Sequence, residues 1–252
     1  LLGLVGSEMC ISDSINISSF LLSVLLTNFV LQKVINFAHK NRIFDKPDNR
    51  KQKKIQMIRI GGISFVFAYL FTILILIYYE SRNNTIYFDN DLMKIIFLGS
   101  IGYFIIGLSD DLFNVSPIKR LFFQTILALL VWKIGFRIYP PELNILSFLS
   151  SSEIILKSTS LFITCFWILS VVNSINWLDG LDGLAAGCAI IFLFTLFLIN
   201  LTNYNYQLNL LIIPFFGCLA AFLKYNFYPS KVLMGDGGSY FIGFNMSIPV
   251  SY

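Results

Sequence analysis

Long apolar stretches, each close to the length that crosses a bilayer, recur along almost the whole chain and restrict it to one broad class of fold. Crossing the hydrocarbon core takes roughly 20 helical residues. Runs of that kind are read near residues 17–38, 60–79, 92–108, 121–138, 159–176, 184–201, 208–224 and from 238 onward. The third is the weakest by length, and the last is cut off at Tyr252 before it could cross. The expectation is an all-α, polytopic transmembrane helical bundle of about eight spans. It forms a single integral membrane domain over residues 1–252 and is read as incomplete at its C-terminus.

Composition agrees with this reading and removes competing ones. The chain is 56% hydrophobic and 13% charged, with a mean hydropathy of +0.75, against about 25% charged residues in an ordinary soluble domain. Cys10, Cys165, Cys188 and Cys218 form no C-x-x-C pair, and the last three lie in apolar runs. They read as small core residues rather than as a disulfide framework or a zinc site. His39, the only histidine, ends the first span and reads as an interfacial polar residue. The chain opens with Leu1, and Leu1 to Val5 is too short for a signal-peptide core.

Alternating the spans across the membrane sorts the loops into two sets. His39 to Arg59, Ser109 to Arg120, Trp177 to Gly183 and Lys224 to Gly237 form one set, and it holds twelve of the 18 Lys and Arg residues. The opposite set has only Arg82, Lys94, Arg137 and Lys157, with Lys33 and Lys133 inside spans. By the positive-inside rule the first set is cytoplasmic and the N-terminus lies on the other side. Outer acids such as Glu80, Asp89 and Glu153 are scattered through polar loops. Asp110-Asp111, Asp179 with Asp182, and Asp236 all sit at mouths of apolar spans on the basic-rich face. Motifs far apart in sequence are therefore expected on one side, which is the physical case for a site.

Each motif carries its own constraint. In Asn173-Ser-Ile-Asn-Trp-Leu-Asp-Gly-Leu-Asp-Gly183, Asn173, Asn176, Asp179 and Asp182 recur every third residue, a spacing that sweeps about half a helix circumference. Such a set is costly at a membrane boundary unless something cationic compensates it; singly, Asp182 reads as a helix N-cap. Adjacent Asp110 and Asp111 repel each other at the end of a span, where the helix dipole worsens the repulsion. They call for a metal ion or basic partners, and Lys119 and Arg120 open the next span on the same face. In Lys231-Val-Leu-Met-Gly-Asp-Gly-Gly-Ser239, glycines around Asp236 leave backbone N–H groups to face an anion. Asp45-Lys-Pro-Asp-Asn-Arg-Lys-Gln-Lys-Lys54, running through Arg59 into Gly61-Gly62, is a basic patch suited to anionic headgroups or a phosphate-bearing substrate. There is no Walker spacing, no G-x-G-x-x-G after a strand and no EF-hand pattern.

Together, DDLFNVSPIKR, NSINWLDGLDGLAAG and KVLMGDGGSYFIGF, in this order on one face, resemble the polyprenyl-phosphate N-acetylhexosamine-1-phosphate transferases, a membrane family that includes phospho-MurNAc-pentapeptide translocase. DKPDNRKQKKIQMIRIGG resembles the family's first cytoplasmic motif. The resemblance covers about residues 44 to 244. It implies transfer of an N-acetylhexosamine-1-phosphate, GlcNAc-1-phosphate by the closer likeness, from a UDP-sugar to polyprenyl (undecaprenyl) phosphate, releasing UMP to begin a cell-envelope glycan. It also implies Mg²⁺, with Mn²⁺ as a substitute, at the cytoplasmic side of the plasma membrane; a homodimer follows from likeness alone, and no nucleic-acid partner is implied. Carried over by motif, Asp110, Asp111, Asp179 and Asp182 are the catalytic acids, with Asp236 and Asp179 on the metal. Asn173, Asn176, Lys119 and Arg120 face substrate, and Asp111 orients or deprotonates the lipid phosphate.

Two departures stand out. Lys53 and Ile58 occupy positions where the family has His and Pro. The family also continues into further spans and a His- and Arg-rich loop, so the resemblance implies that part of the substrate pocket lies outside these 252 residues. The alternatives are a phospho-MurNAc-pentapeptide transferase, an inactive remnant, and, from another class, a secondary transporter. Transporter sites lie near the midplane between inverted repeats; here the acids gather at one boundary and no repeat is visible.

Overall fold

The computed structural model describes residues 2–41, 57–83, 89–139, 153–202 and 206–248, and every regular element among them is a helix. These are α1 (Leu2–Asn41), α2 (Gly62–Asn83), α3 (Asn90–Phe113), α4 (Pro117–Ile134), α5 (Glu153–Leu178), α6 (Leu184–Thr202), α7 (Tyr206–Asn226) and α8 (Gly235–Ser247). The basic run at 45–54 lies outside the described residues. Each apolar run from the sequence becomes a helix. Six are long and apolar enough to cross a membrane, so the protein is a polytopic helical membrane protein.

Two of the eight helices are not among these six. Helix α4 has 18 residues but carries Lys119, Arg120 and Lys133, and α8 has 13 described residues. The third run, in contrast, gains length: α3 extends over 24 residues and takes Asp110 and Asp111 into its last turn. It stops at Asn114, which adopts φ 51° and donates its N–H to the Asp110 carbonyl. Beyond Ser116, Pro117 starts α4, where a missing N–H costs nothing.

Side-chain exposure is that of a protein dissolved in lipid. Leu25, Phe29, Phe162, Phe166 and Ile191 are all more than half exposed, while Ser23, Thr72, Ser100 and Thr164 are fully buried. Buried hydroxyls such as Thr72 and Thr164 turn back onto carbonyls of their own helices, Thr72 onto Ala68 at 2.8 Å, and so need no water as a partner. At the centre stands α8, buried from Gly237 through Ser247 and packed against α2, α3, α5 and α6. Tyr103 of α3 stacks on Phe244 with centroids 5.0 Å apart.

Close approach to α8 sets where its first turn sits. A Cβ on Gly107 of α3 would lie 2.2 Å from the Asp236 carbonyl oxygen, a distance no side chain tolerates. Gly187 of α6, by comparison, has open space around it. Gly107→Ala is therefore expected to lower stability by about 1–3 kcal/mol through overpacking, whereas Gly187→Ala leaves it unchanged or slightly raised. Thermal unfolding of the two variants in detergent checks this.

Candidate functional site

Four segments meet at one end of the bundle, and they come from the four loops that the charge pattern had assigned to one face. Residues 57–62 run beside 232–234. Ile58 pairs with Val232, the Leu233 N–H donates to the Ile58 carbonyl at 2.8 Å, and the Gly61 N–H donates to the Leu233 carbonyl at 3.1 Å. This short extended pair delivers Arg59 to the first turn of α8. The tight turn at Gly235 has φ +78°, and a Cβ there would meet the Arg59 carbonyl oxygen at 2.2 Å, so only glycine fits.

The N-terminus of α8 is capped from another helix. Asp111 accepts the backbone N–H groups of Asp236 and Gly237, both at 3.0 Å, and also pairs with Arg59 Nε at 3.0 Å. Its side chain is 2% exposed. The anion faced by the glycine-rich turn is thus the protein's own Asp111. A carboxylate in that place satisfies orphan donors and meets the positive end of the helix dipole. Both Asp111 oxygens are engaged, which gives this residue a holding task in the structure.

Asp236 is the hub of the cluster. Arg120 Nη1 donates to its Oδ2 at 3.0 Å and also to Asp110 Oδ2. Asn176 Nδ2 donates to its Oδ1 at 3.1 Å and to Ser239 Oγ at 2.9 Å, and Arg59 Nη2 lies 3.5 Å from that same Oδ1. The adjacent carboxylates Asp110 and Asp111 therefore part company: the first faces Arg120, the second Arg59 and the α8 N-terminus. Burial pushes the Asp179 carboxyl up to about 8; Asp236 and Asp111 push it further, and the Gly235 N–H and Arg59 pull it back.

The remaining expected residues stand around this centre. Asn173, about one turn deeper on α5, donates to Gln124 Oε1 at 3.0 Å and to the Leu169 carbonyl at 2.8 Å, bracing α5 against α4. Asp182 stands just before Gly183, which has φ +75° and leads into α6 at Leu184. Its Oδ2 accepts the Ser230 N–H at 3.2 Å and fixes the turn after α7. Lys119 is exposed. Sequence reasoning missed Arg59, Ser239 and Gln124 as members of the cluster. Arg59 had been absorbed into a basic patch, and the one signal for it was its place just before the Gly61-Gly62 opening of a span.

Three carboxylates, Asp110, Asp111 and Asp236, pair with two guanidiniums, Arg59 and Arg120, and Asp179 lies close enough to feel Asp236, Asp111 and Arg59. An excess of hard anionic oxygens of this kind suits Mg²⁺ or Mn²⁺. Among the described residues no three acidic, His or Cys side chains stand together as a ready-made metal cage. Mg²⁺ usually binds through one or two carboxylates plus substrate phosphates, so the donor set fits that mode.

Fold and site together define a polytopic helical membrane protein with an Arg-compensated acidic cluster at one end of its bundle. More particularly, residues 93–250 match the model of glycosyl transferase family 4, and the chain belongs to that family. It is 30% identical over 231 residues to "Probable undecaprenyl-phosphate N-acetylglucosaminyl 1-phosphate transferase" of Bacillus subtilis, covering 91% of this chain and 61% of that one. It is also 30% identical over 234 residues to phospho-N-acetylmuramoyl-pentapeptide-transferase of Prochlorococcus marinus, covering 89% and 63%. The chain thus spans somewhat under two thirds of the length of these relatives.

Asp111→Ala leaves the two helix N-terminal N–H groups of Asp236 and Gly237 without their acceptor and removes the shorter ion pair of Arg59. The expected loss is about 1–3 kcal/mol per orphaned buried group, read as a lowered unfolding midpoint in detergent, with Asp111→Asn recovering part of it because one acceptor oxygen remains.

Proposed function

We propose that the protein transfers an N-acetylhexosamine-1-phosphate, GlcNAc-1-phosphate in the first instance, from a UDP-sugar to polyprenyl phosphate at the cytoplasmic face of the plasma membrane. The observation that carries this reading is Asp236, where two guanidiniums and an amide from three separate segments converge on one carboxylate at the membrane boundary. The names of the Bacillus and Prochlorococcus relatives support the reaction class. The positive-inside pattern supports the sidedness.

In this reaction a lipid phosphate oxygen bonds to the sugar-bearing phosphorus while the bond from that phosphorus to the UMP oxygen breaks. One diphosphate linkage replaces another, and UMP carries away the charge. The attacking oxygen is already anionic, so alignment and charge neutralisation matter more than a strong base. Arg120 and Arg59 supply donors to phosphate oxygens. Asn176 keeps Asp236 turned toward the centre, and Asp111 locks the α8 turn that carries it. Asp110 holds Arg120 in place. Asp179 and Asp236 would hold Mg²⁺, which when bound supplies charge neutralisation at the transferring phosphate. Asp182 acts through the Ser230 turn, and Lys119 offers an exposed charge to the approaching anion.

The pentapeptide-transferase reading shares this chemistry and differs in the sugar, and the Prochlorococcus relative favours keeping it as the second reading. Membranes carrying the protein, given undecaprenyl phosphate and Mg²⁺, are expected to release UMP from UDP-GlcNAc. UMP release from UDP-MurNAc-pentapeptide alone would select the second reading, and release from neither would overturn the proposal. Arg120→Gln and Asp236→Asn should each lower turnover about a hundredfold or more, measured as initial rates of UMP release.

The raised Asp179 carboxyl, at about 8 without metal, is mostly protonated at pH 7. Mg²⁺ binding should therefore release close to one proton there, and affinity should rise with pH up to about 8 and then level off. Calorimetric titrations in two buffers of different ionisation enthalpy measure that proton, and its persistence in Asp179→Asn would assign it elsewhere.

A further inference from the structure

The carboxylate best placed for a metal is already in use. Asp236 Oδ1 accepts from Asn176, and Oδ2 accepts from Arg120 at 3.0 Å. Nothing can coordinate Oδ2 on that side unless Arg120 moves. Arg120 need not leave the site to do so, because the same Nη1 also holds Asp110 Oδ2, whose side chain is only 11% exposed. The guanidinium thus has one anchored contact and one exchangeable contact. Arg59 is arranged the other way: its firm contact, at 3.0 Å, goes to Asp111, and its reach to Asp236 is 3.5 Å.

We propose that Arg120 is a built-in stand-in cation: it holds Asp236 while the site is empty of ligands, yields that carboxylate to the divalent cation, and pivots on Asp110 toward a substrate phosphate. This deepens the functional reading above and rests on its assignment of Asp236 to the metal. Three physical consequences follow. The cluster stays compact in the free protein, since carboxylates repelling one another without a cation would splay the α3, α5 and α8 ends. A divalent cation alone binds weakly, because it must break a charge-assisted hydrogen bond whose donor then has no second partner. A phosphate-bearing ligand supplies that partner, so cation and phosphate reinforce each other's binding by the same factor in both directions.

The test measures metal binding without turnover. The full chain is purified in detergent, no substrate is added, and Mn²⁺ is titrated while the unbound ion is followed by electron paramagnetic resonance. Arg120→Gln should bind Mn²⁺ more tightly than the unaltered protein, on the order of tenfold. Arg120→Lys, which keeps the charge but lacks a fork to bridge two carboxylates, should show a smaller gain. Lys231→Gln, removing an exposed charge on the segment leading to α8, should show none, which separates exchange from a general field effect. Unfolding midpoints of the variants confirm that each is folded, and the lysine variant carries the test if the glutamine variant is not. No gain with either Arg120 variant, while Asp236→Asn still abolishes Mn²⁺ binding, would overturn the exchange and leave the functional reading standing. Mn²⁺ binding untouched by Asp236→Asn, both in the otherwise unaltered protein and when combined with Arg120→Gln, would overturn the metal assignment and the exchange with it.

Discussion

The Asp111 carboxylate on the N-terminus of α8 is the contact on which the rest of the site depends. A helix starting inside a bundle exposes N–H groups that hydrocarbon cannot satisfy. Here two of them, on Asp236 and Gly237, point at a carboxylate from α3. The same carboxylate recruits Arg59, so the segment before α2, the end of α3 and the start of α8 are tied at one point. Asp236 is then presented at a fixed place beside α4 and α5, where Arg120 and Asn176 reach it.

Glycines make this geometry reachable. Gly235 turns the chain through a left-handed conformation, and Gly107 lets α3 press its backbone against that of Asp236. Side chains at either position would separate the helices before the carboxylate could reach its N–H partners. Below the charged layer a second, neutral layer repeats the pattern about one turn deeper: Asn173 meets Gln124, and Tyr103 donates to the Gln124 carbonyl at 2.9 Å. These pairings satisfy the Asn173 amide, the Tyr103 hydroxyl and the Gln124 acceptors inside the bundle, where an unpaired polar group is expensive. The paired layers set the angle at which α4 and α5 offer Arg120 and Asn176.

Much of this was legible residue by residue. Apolar run length located the helices, because crossing lipid imposes a length on any chain. Asp110, Arg120, Asn176 and Asp236 announced themselves as polar groups at mouths of spans, where burial needs compensation. Arg59 did not, because a single arginine among many basic residues looks like a topology signal until its partner, 177 positions away at Asp236, is seen beside it. For Asp182, local spacing suggested a helix cap and gave no sign of Ser230, 48 positions on, whose N–H its carboxylate accepts.

The sequence by itself determined the class of fold, the helical segments, and the gathering of the acidic motifs toward one end, since hydropathy and charge act locally and need no knowledge of neighbours. Which acid meets which base was decided only by the tertiary structure. Asp110 and Asp111 are adjacent and chemically identical, and nothing in their spacing says that one grips Arg120 while the other caps α8. That division follows from helical rotation and from the approach of α8, which direct neighbouring side chains onto different surfaces.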